Sequence, residues 1–146
     1  MQALLVLVRA LCRLPHLVAL WLLLAAGAHA ADFVVIGHPN VPRVDAATLQ
    51  RLYTGRAIEV AGQPVTVVGI VAGHPLRERF LMQVVGLDDE RYVAYWTVRR
   101  HVGRGAPPRE FRTSADVAAH VLATPGALGY VAAADVTPGM NVVLRP

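Results

Sequence analysis

The sequence predicts an α/β fold with a mixed sheet. Short apolar runs rich in β-branched residues, at residues 33–36 and 128–131, are typical of buried strands. Between them lie segments whose apolar residues recur at helical spacing, so strands and helices alternate over much of the chain. A strand–turn–strand pattern around Gly62 indicates a hairpin, and a hairpin inside an alternating chain favours a mixed sheet over a parallel one.

The first strand is predicted over residues 33–36, ending at Gly37, and a helix follows it. Asp45 is placed to cap this helix, because Asp accepts hydrogen bonds from the free N–H groups of a helix start. Gly55 is placed to end it, because glycine adopts the left-handed conformation common at helix ends. The helix carries Leu49, Leu52 and Tyr53, and its leucine face is predicted to pack inward.

A hairpin and a second helix are predicted next. Residues 58–60 and 65–71 have the pattern of two strands joined by a tight turn at residues 61–63. Pro75 suits the first turn of a helix, since its fixed φ is helical and an N–H there would have no partner within the helix. This helix is expected to run to Gly86. Its predicted buried face consists of Phe80, Leu81, Val84 and Val85.

The third predicted helix opens with three acidic residues at positions 88–90 and runs to about Val102. Acids at a helix start complement the positive end of the helix dipole, so their placement is interpreted as structural. Three aromatic residues recur at helical spacing along this helix, and we expect them in the core rather than on a ligand-stacking surface. They are Tyr92, Tyr95 and Trp96.

The last part of the chain begins with a loop at residues 103–108, whose Gly and Pro content suits neither helix nor strand. This loop is a candidate functional loop. Ser114 is expected to cap a fourth helix over residues 115–123. A strand over residues 128–131 and a last strand over residues 141–144 complete the predicted sheet.

The N-terminus has the pattern of a secretion signal. Two arginines precede an apolar run at residues 17–26, and Ala28-His29-Ala30 has the small residues of a cleavage site. The apolar run has about ten residues, whereas a membrane-spanning helix needs roughly 20. We therefore predict a signal peptide at residues 1–30, a mature domain at residues 31–146 and a periplasmic location. The alternative is a retained membrane anchor, lengthened by the apolar residues nearest the N-terminus.

Charge and cysteine content restrict the function classes further. The chain has a formal net charge of +4, and removal of residues 1–30 would leave twelve arginines against ten acidic residues. A basic stripe with interleaved aromatic residues is absent from the sequence, which argues against nucleic-acid binding. Cys12 is the single cysteine and lies in the predicted signal, so the mature domain would form no disulfide. The histidines lack the close spacing of zinc ligands, and no metal or other cofactor is predicted.

Several short motifs occur in order over roughly residues 33–144. They are Leu49-Gln50-Arg51-Leu52-Tyr53-Thr54-Gly55, Arg77-Glu78-Arg79-Phe80, the set Trp96, Gly103 and Pro107, and the most specific one, Pro125-Gly126-Ala127-Leu128-Gly129-Tyr130-Val131. In this order they resemble the periplasmic phosphate-binding proteins of ABC transporters, specifically short, single-lobe members of that superfamily. The resemblance implies a three-layer α/β fold, a periplasmic-binding-protein-like single lobe with a mixed sheet.

The resemblance also implies a ligand site. The family holds phosphate with backbone and hydroxyl donors at helix starts, and the matching junction here begins at Gly73. Where the family typically has Ser-Gly-Thr, this chain has His74-Pro75-Leu76, in which proline has no N–H and leucine no hydroxyl. The ligand-binding residues predicted on this basis are Gly73, His74, Arg77, Gly103 and Arg104.

Arg77 has a second interpretation, because an arginine in the first turns of a helix more often forms a surface ion pair. The expected partners for such a pair are Glu78 or Asp116.

Three functions remain open at this point. One is a binding module for phosphate or another small anion, working with an ABC transporter or a sensor protein. Another is an interaction or sensory-accessory domain that has kept the lobe and lost the ligand. The third, an enzyme, has no motif in its favour, since Ser114 has a capping context without a nearby base, and no catalytic residue is predicted.

Overall fold

The structure, a computed structural model, describes residues 33–146, and the predicted signal peptide at residues 1–30 lies outside the described residues. The described residues form a five-stranded mixed sheet and a separate two-stranded ribbon. The sheet contains β1 (Phe33–Gly37), β4 (Thr66–Ile70), β5 (Arg109–Phe111), β6 (Ala127–Ala132) and β7 (Asn141–Leu144), and the ribbon contains β2 (Glu59–Val60) and β3 (Gln63–Pro64).

The strands of the sheet follow the order β5–β4–β6–β1–β7. β4 runs parallel to both of its neighbours, β5 and β6, whereas β1 is antiparallel to β6 and β7. The predicted mixed sheet is therefore confirmed. All five residues of β1 are buried, as expected for an apolar strand enclosed between two others.

Within residues 33–146, four α-helices connect these strands. They are α1 (Ala46–Tyr53), α2 (Pro75–Phe80), α3 (Asp89–His101) and α4 (Ser114–Ala123). α2 continues into a π-helix at Leu81–Val85, and a short 3-10 helix at Ala133–Asp135 follows β6. The predicted cap of α1 is confirmed, since the Asp45 carboxylate accepts from the Thr48 N–H at 2.7 Å. None of the described helices is both long and apolar enough to cross a membrane.

Helices cover both faces of the sheet, as Gly129 and Tyr130 of β6 show. Successive strand residues point to opposite faces. A Cβ added at Gly129 would meet Val117 and Val121 of α4, at 2.6 and 3.4 Å. On the other face, the Tyr130 ring stacks on Phe80 at the end of α2, with ring centroids 4.0 Å apart. The arrangement is helix, sheet, helix, which is the three-layer order that the resemblance implies.

The predicted hairpin is present in altered form. β2 pairs with β3, with Glu59 opposite Pro64 and Val60 opposite Gln63. The sequence predicts one strand over residues 65–71, but β4 pairs with β5 and β6 in the main sheet and not with β2. The chain passes from ribbon to sheet at Val65, whose N–H donates to the Ile58 carbonyl.

Three further features of the structure differ from the sequence-based expectation. The second helix is predicted to run to Gly86, and its last five residues before Gly86 form a π-helix. Thr113, not Ser114, caps α4, and its hydroxyl accepts from the Asp116 N–H at 3.1 Å. β5 is not predicted at all, because a three-residue strand with two charged residues has no alternating apolar pattern.

Candidate functional site

The start of α2 is where the sequence predicts an anion site. His74 caps the helix, and its Nδ1 accepts from the Leu76 N–H at 3.2 Å. Gly73 precedes it with φ +79°, a conformation that glycine adopts without strain. The Gly73 N–H donates to Oδ2 of Asp89 at 3.0 Å. The Asp89 carboxylate therefore already accepts the hydrogen bond that the Gly73 N–H could otherwise donate to an external anion.

Arg77 lies deep in the same region, with 3% of its surface exposed. Its Nε donates to Oδ1 of Asp89 at 2.8 Å. One terminal nitrogen donates to the Ile70 carbonyl at 2.8 Å and to the carboxylate of Glu110. The guanidinium also lies over the Tyr92 ring, 5.5 Å from its centroid. Arg77 thus joins β4, α2, α3 and β5 at one end of the sheet.

Two opposing effects act on the charge of Arg77. Burial lowers the pKa of the guanidinium, but hydrogen bonds and charge attraction from Glu110 and Asp89 outweigh it, so the pKa lies above its ordinary value. Arg77 therefore stays charged, and its charge is balanced by two carboxylates of the protein.

The prediction of a surface ion pair at Arg77 is wrong in both burial and partners. The pairs form with Asp89 and Glu110, not with Glu78 or Asp116. Both partners lie more than ten positions away in the sequence, and the fold brings them to Arg77.

A cleft of about 380 Å³ opens between α3 and the loop at residues 103–108. Arg77 and Glu110 reach it from the end of the sheet. The other residues that line it are Tyr92, Val93, Trp96, Thr97, Arg100, Pro107 and Pro108.

The five residues predicted to bind a ligand do not all line this cleft. Arg77 lines the cleft, whereas Gly73 and His74 lie at the α2 start and are not part of its lining. Gly103 and Arg104 are exposed, and the Arg104 N–H donates to the Arg99 carbonyl at the end of α3. The part of the predicted functional loop that does line the cleft is Pro107 and Pro108.

The aromatic residues of α3 attach this helix to the end of α1. The Tyr92 hydroxyl donates to the Tyr53 carbonyl at 2.8 Å, and the Tyr95 hydroxyl donates to the Thr54 carbonyl at 2.7 Å. Tyr92 and Trp96 are buried and Tyr95 is half-buried, which confirms the prediction of core aromatics. Burial raises the pKa of Tyr92 well above its usual range, so the hydroxyl remains a donor.

Asp89 and Glu110 are the residues of this region that sequence reasoning missed. Asp89 is the first residue of α3, and its position among three acids favoured a purely dipolar role. Glu110 belongs to β5, which had no detectable strand signal. Only the fold shows that both carboxylates converge on Arg77.

Comparison with known proteins gives matches among solved structures alone. No family model matches the sequence, and no curated protein matches it. A candidate phosphate ABC transporter substrate-binding protein from Clostridium perfringens, solved with bound phosphate, aligns with TM-score 0.57 at 19% identity. An ABC-type phosphate transport receptor from Vibrio cholerae aligns with a TM-score of 0.57 at 14% sequence identity. PstS from Borrelia burgdorferi aligns with a TM-score of 0.54 at 11% sequence identity. The chain shares their fold.

This phosphate-binding-protein-like fold covers part of each neighbour. The alignments include 77% of this chain but 44–46% of the other chains, so the chain spans less than half their length. These neighbours are transport binding proteins by description, not enzymes.

Ser114 has a structural role in this chain. Its hydroxyl accepts a hydrogen bond from the Ala132 N–H at 2.8 Å.

Proposed function

We propose that this protein is an exported binding-protein-like module that works through contact with another protein and does not capture phosphate at the start of α2. The observation that carries the proposal is the position of Asp89. Its two carboxylate oxygens take the Gly73 N–H and the Arg77 Nε–H, the two donors best placed to hold an external anion there.

A phosphate at this place would have to displace a carboxylate that is already paired. It would then lie beside the displaced Asp89 and near Glu110, and like charges at such distances repel strongly away from bulk water. Arg77 could not turn toward the anion without leaving the Ile70 carbonyl and both carboxylates. The internal pairing is therefore favoured over capture.

The remaining chemistry of the α2 start also opposes capture. Pro75 supplies no N–H, and the His74 Nδ1 is already used as the acceptor that caps the helix. The second interpretation of the sequence, a lobe that has lost its ligand, thus accounts for the geometry better than an anion receptor does.

The fold and the N-terminal sequence together support a proposal for partner and location. The solved neighbours serve ABC transporters, and the first thirty residues have the pattern of an export signal. We infer that the module acts in the periplasm, where it contacts a transporter or a sensor protein. No catalytic step is part of the proposal.

Titration calorimetry with inorganic phosphate and with sulfate tests the absence of capture. We expect heats no larger than those of dilution for the unmodified protein. NMR on the same sample follows the Gly73 amide, and we expect its resonance to stay in place. A micromolar affinity together with movement of the Gly73 amide would overturn the proposal, even if Arg77→Ala proves too unstable to serve as a control.

Asp89→Asn sharpens this experiment because it keeps the side-chain size and removes the competing charge. If Asp89 is what excludes anions, the variant gains weak phosphate binding, while Asp88→Asn, which alters the neighbouring acid, gains none. Equal binding by the unmodified protein and Asp89→Asn would show that the carboxylate excludes nothing.

Export is tested separately by expressing the full chain in a bacterial host and measuring the intact mass of the protein recovered from the periplasm. A chain that begins at Ala31 supports cleavage after Ala30. Recovery of the uncleaved chain from the cytoplasm would overturn this part of the proposal.

A further inference from the structure

α3 leaves one of its sides uncovered. Tyr92 and Trp96 face the interior, while the opposite side carries Glu90, Ala94 and Thr97, all of them exposed. His101 continues the same line, because residues spaced by four, three and four positions share one side of a helix. The two central residues, Ala94 and Thr97, are small, so another helix could approach the backbone closely at this point.

Exposed valines flank this line on both edges. Val93 lies on one edge and Val98 on the other, with 48% and 62% of their surfaces exposed. Val102, directly after α3, is 58% exposed. These are three of the six large apolar residues that are exposed among residues 33–146. Exposed valines grouped in this way are typical of a contact surface.

The charges of the uncovered side are separated along the helix. Glu90 lies at its start, and Arg100, His101 and Arg104 lie at or just beyond its end. Glu90, Arg100 and Arg104 form no salt bridge with any residue in the described part of the chain. Charges without a partner among residues 33–146 are available to a neighbour.

We propose that two copies of this chain associate through α3, packed antiparallel about a two-fold axis that passes between Ala94 and Thr97. This arrangement sets Ala94 of one copy against Thr97 of the other, with the exposed valines Val93 and Val98 flanking that contact on its two edges. It also sets Glu90 against Arg100 and His101 of the second copy, and the two-fold repeats each pair. The acidic and basic ends are ten residues apart, roughly 15 Å along the helix, so both pairs form at once.

The separation of charge favours a second copy over other occupants. A uniformly acidic partner would be attracted by Arg100 and repelled by Glu90, and a parallel arrangement of two α3 helices would place like charges together. In an antiparallel dimer, the acidic start of each α3 helix pairs with the basic end of the other, so the same surface on both copies pairs both charges. The contact involves none of the predicted ligand residues at the α2 start, so it goes beyond the proposed function and can fail independently of it.

Sedimentation velocity on the expressed full chain, in the processed form that its intact mass reveals, tests the dimer. We expect dimer formation at roughly 10 µM, a moderate affinity for a surface of one helix. Glu90→Arg and Arg100→Glu should each weaken the dimer at least about tenfold, because each places like charges together twice. The double variant carrying both changes should recover the affinity, since the pairs re-form with reversed sign. Circular dichroism establishes that each variant is folded.

Disulfide trapping gives an independent test in a Cys12→Ser background. A mixture of the single variants Ala94→Cys and Thr97→Cys should yield a covalent heterodimer on mild oxidation, because these positions oppose each other across the axis. The matched control combines Met82→Cys with Leu122→Cys, two exposed apolar positions on other helices, and should remain monomeric. A monomeric unmodified protein at about 100 µM, or failure of the charge-reversed double variant to recover, would overturn the proposal.

Discussion

Asp89 and Arg77 form an ion pair that joins the starts of α3 and α2, with Oδ1 of Asp89 2.8 Å from Nε of Arg77. The second oxygen of the same carboxylate binds the Gly73 N–H. One acidic side chain therefore fills the place that a bound anion would take at the α2 start, and at the same time it fixes α3 to the sheet. In this fold an internal carboxylate has the role of a structural ligand.

Asp89→Ala should destabilise the protein by about 2–3 kcal/mol, the range for losing hydrogen bonds to a buried charged group. The variant leaves Arg77 buried with Glu110 as its remaining carboxylate and leaves the Gly73 N–H without a partner. The measurement is the free energy of unfolding in urea. Asp88→Ala, which removes an exposed helix cap, is the matched control and should cost about 1 kcal/mol. Equal losses for the two variants would contradict the structural role of Asp89.

Gly55→Ala should cost at least about 2 kcal/mol in the free energy of unfolding. Gly55 has φ +65°, and an added Cβ would lie 2.7 Å from Cη2 of Trp96, so backbone strain and a clash with a buried ring combine. Gly103→Ala is the matched control, since Gly103 has φ +71° but nothing within 4 Å of the added Cβ. The control should lose about 1 kcal/mol. A control as unstable as Gly55→Ala would show that the contact with Trp96 is irrelevant.

Tyr130→Phe should lower the free energy of unfolding by about 1–3 kcal/mol. The hydroxyl of Tyr130 accepts from the buried Ile70 N–H at 3.0 Å, and phenylalanine would leave that donor unpaired while retaining the ring stacking on Phe80. Tyr95→Phe is the comparison, because its half-buried hydroxyl donates to the Thr54 carbonyl, and it should cost less. Urea unfolding at neutral pH measures both.

Ionisation of Tyr130 at alkaline pH should destabilise the folded protein. Burial raises the pKa of Tyr130 to about 12, whereas an unfolded tyrosine has a pKa of 10.0. The folded state holds the proton more tightly, so the stabilisation is complete below pH 10 and is lost as the pH rises through about 12. Ultraviolet titration of the phenolate should therefore show Tyr130 ionising together with loss of helical circular dichroism. Ionisation of every tyrosine in the folded protein would contradict this.

Protonation of Asp45 at acid pH should destabilise the folded protein. Hydrogen bonds from Thr48 lower the pKa of this carboxyl below 3.8, so the folded state favours the charged form. The stabilisation is present above the unfolded pKa and is lost as the pH falls through the lower folded value. Asp45→Asn retains a capping oxygen and removes the titration, so its stability should fall less steeply than that of the unmodified protein below pH 3.8. Identical acid slopes for the two proteins would refute the assignment.

Local signals were sufficient for most individual elements. Asp45 as a cap, Pro75 in a first turn and the apolar run at residues 33–36 each act through neighbours in sequence, so their structures could be predicted. β5 could not, because a strand of three residues exists only through its pairing with β4. The predicted strand over residues 65–71 was wrong in extent for a similar reason, since the partner of each strand is chosen by the sheet.

Apolar periodicity and capping residues depend on short-range physics, so the sequence is sufficient to predict the α/β class and the approximate extent of the long helices. The state of the candidate site depends on contacts between distant parts of the chain. Asp89, Glu110 and the Ile70 carbonyl reach Arg77 from three separate elements. The pairing of a buried charge depends on which elements meet in space, and spacing along the chain does not contain that information.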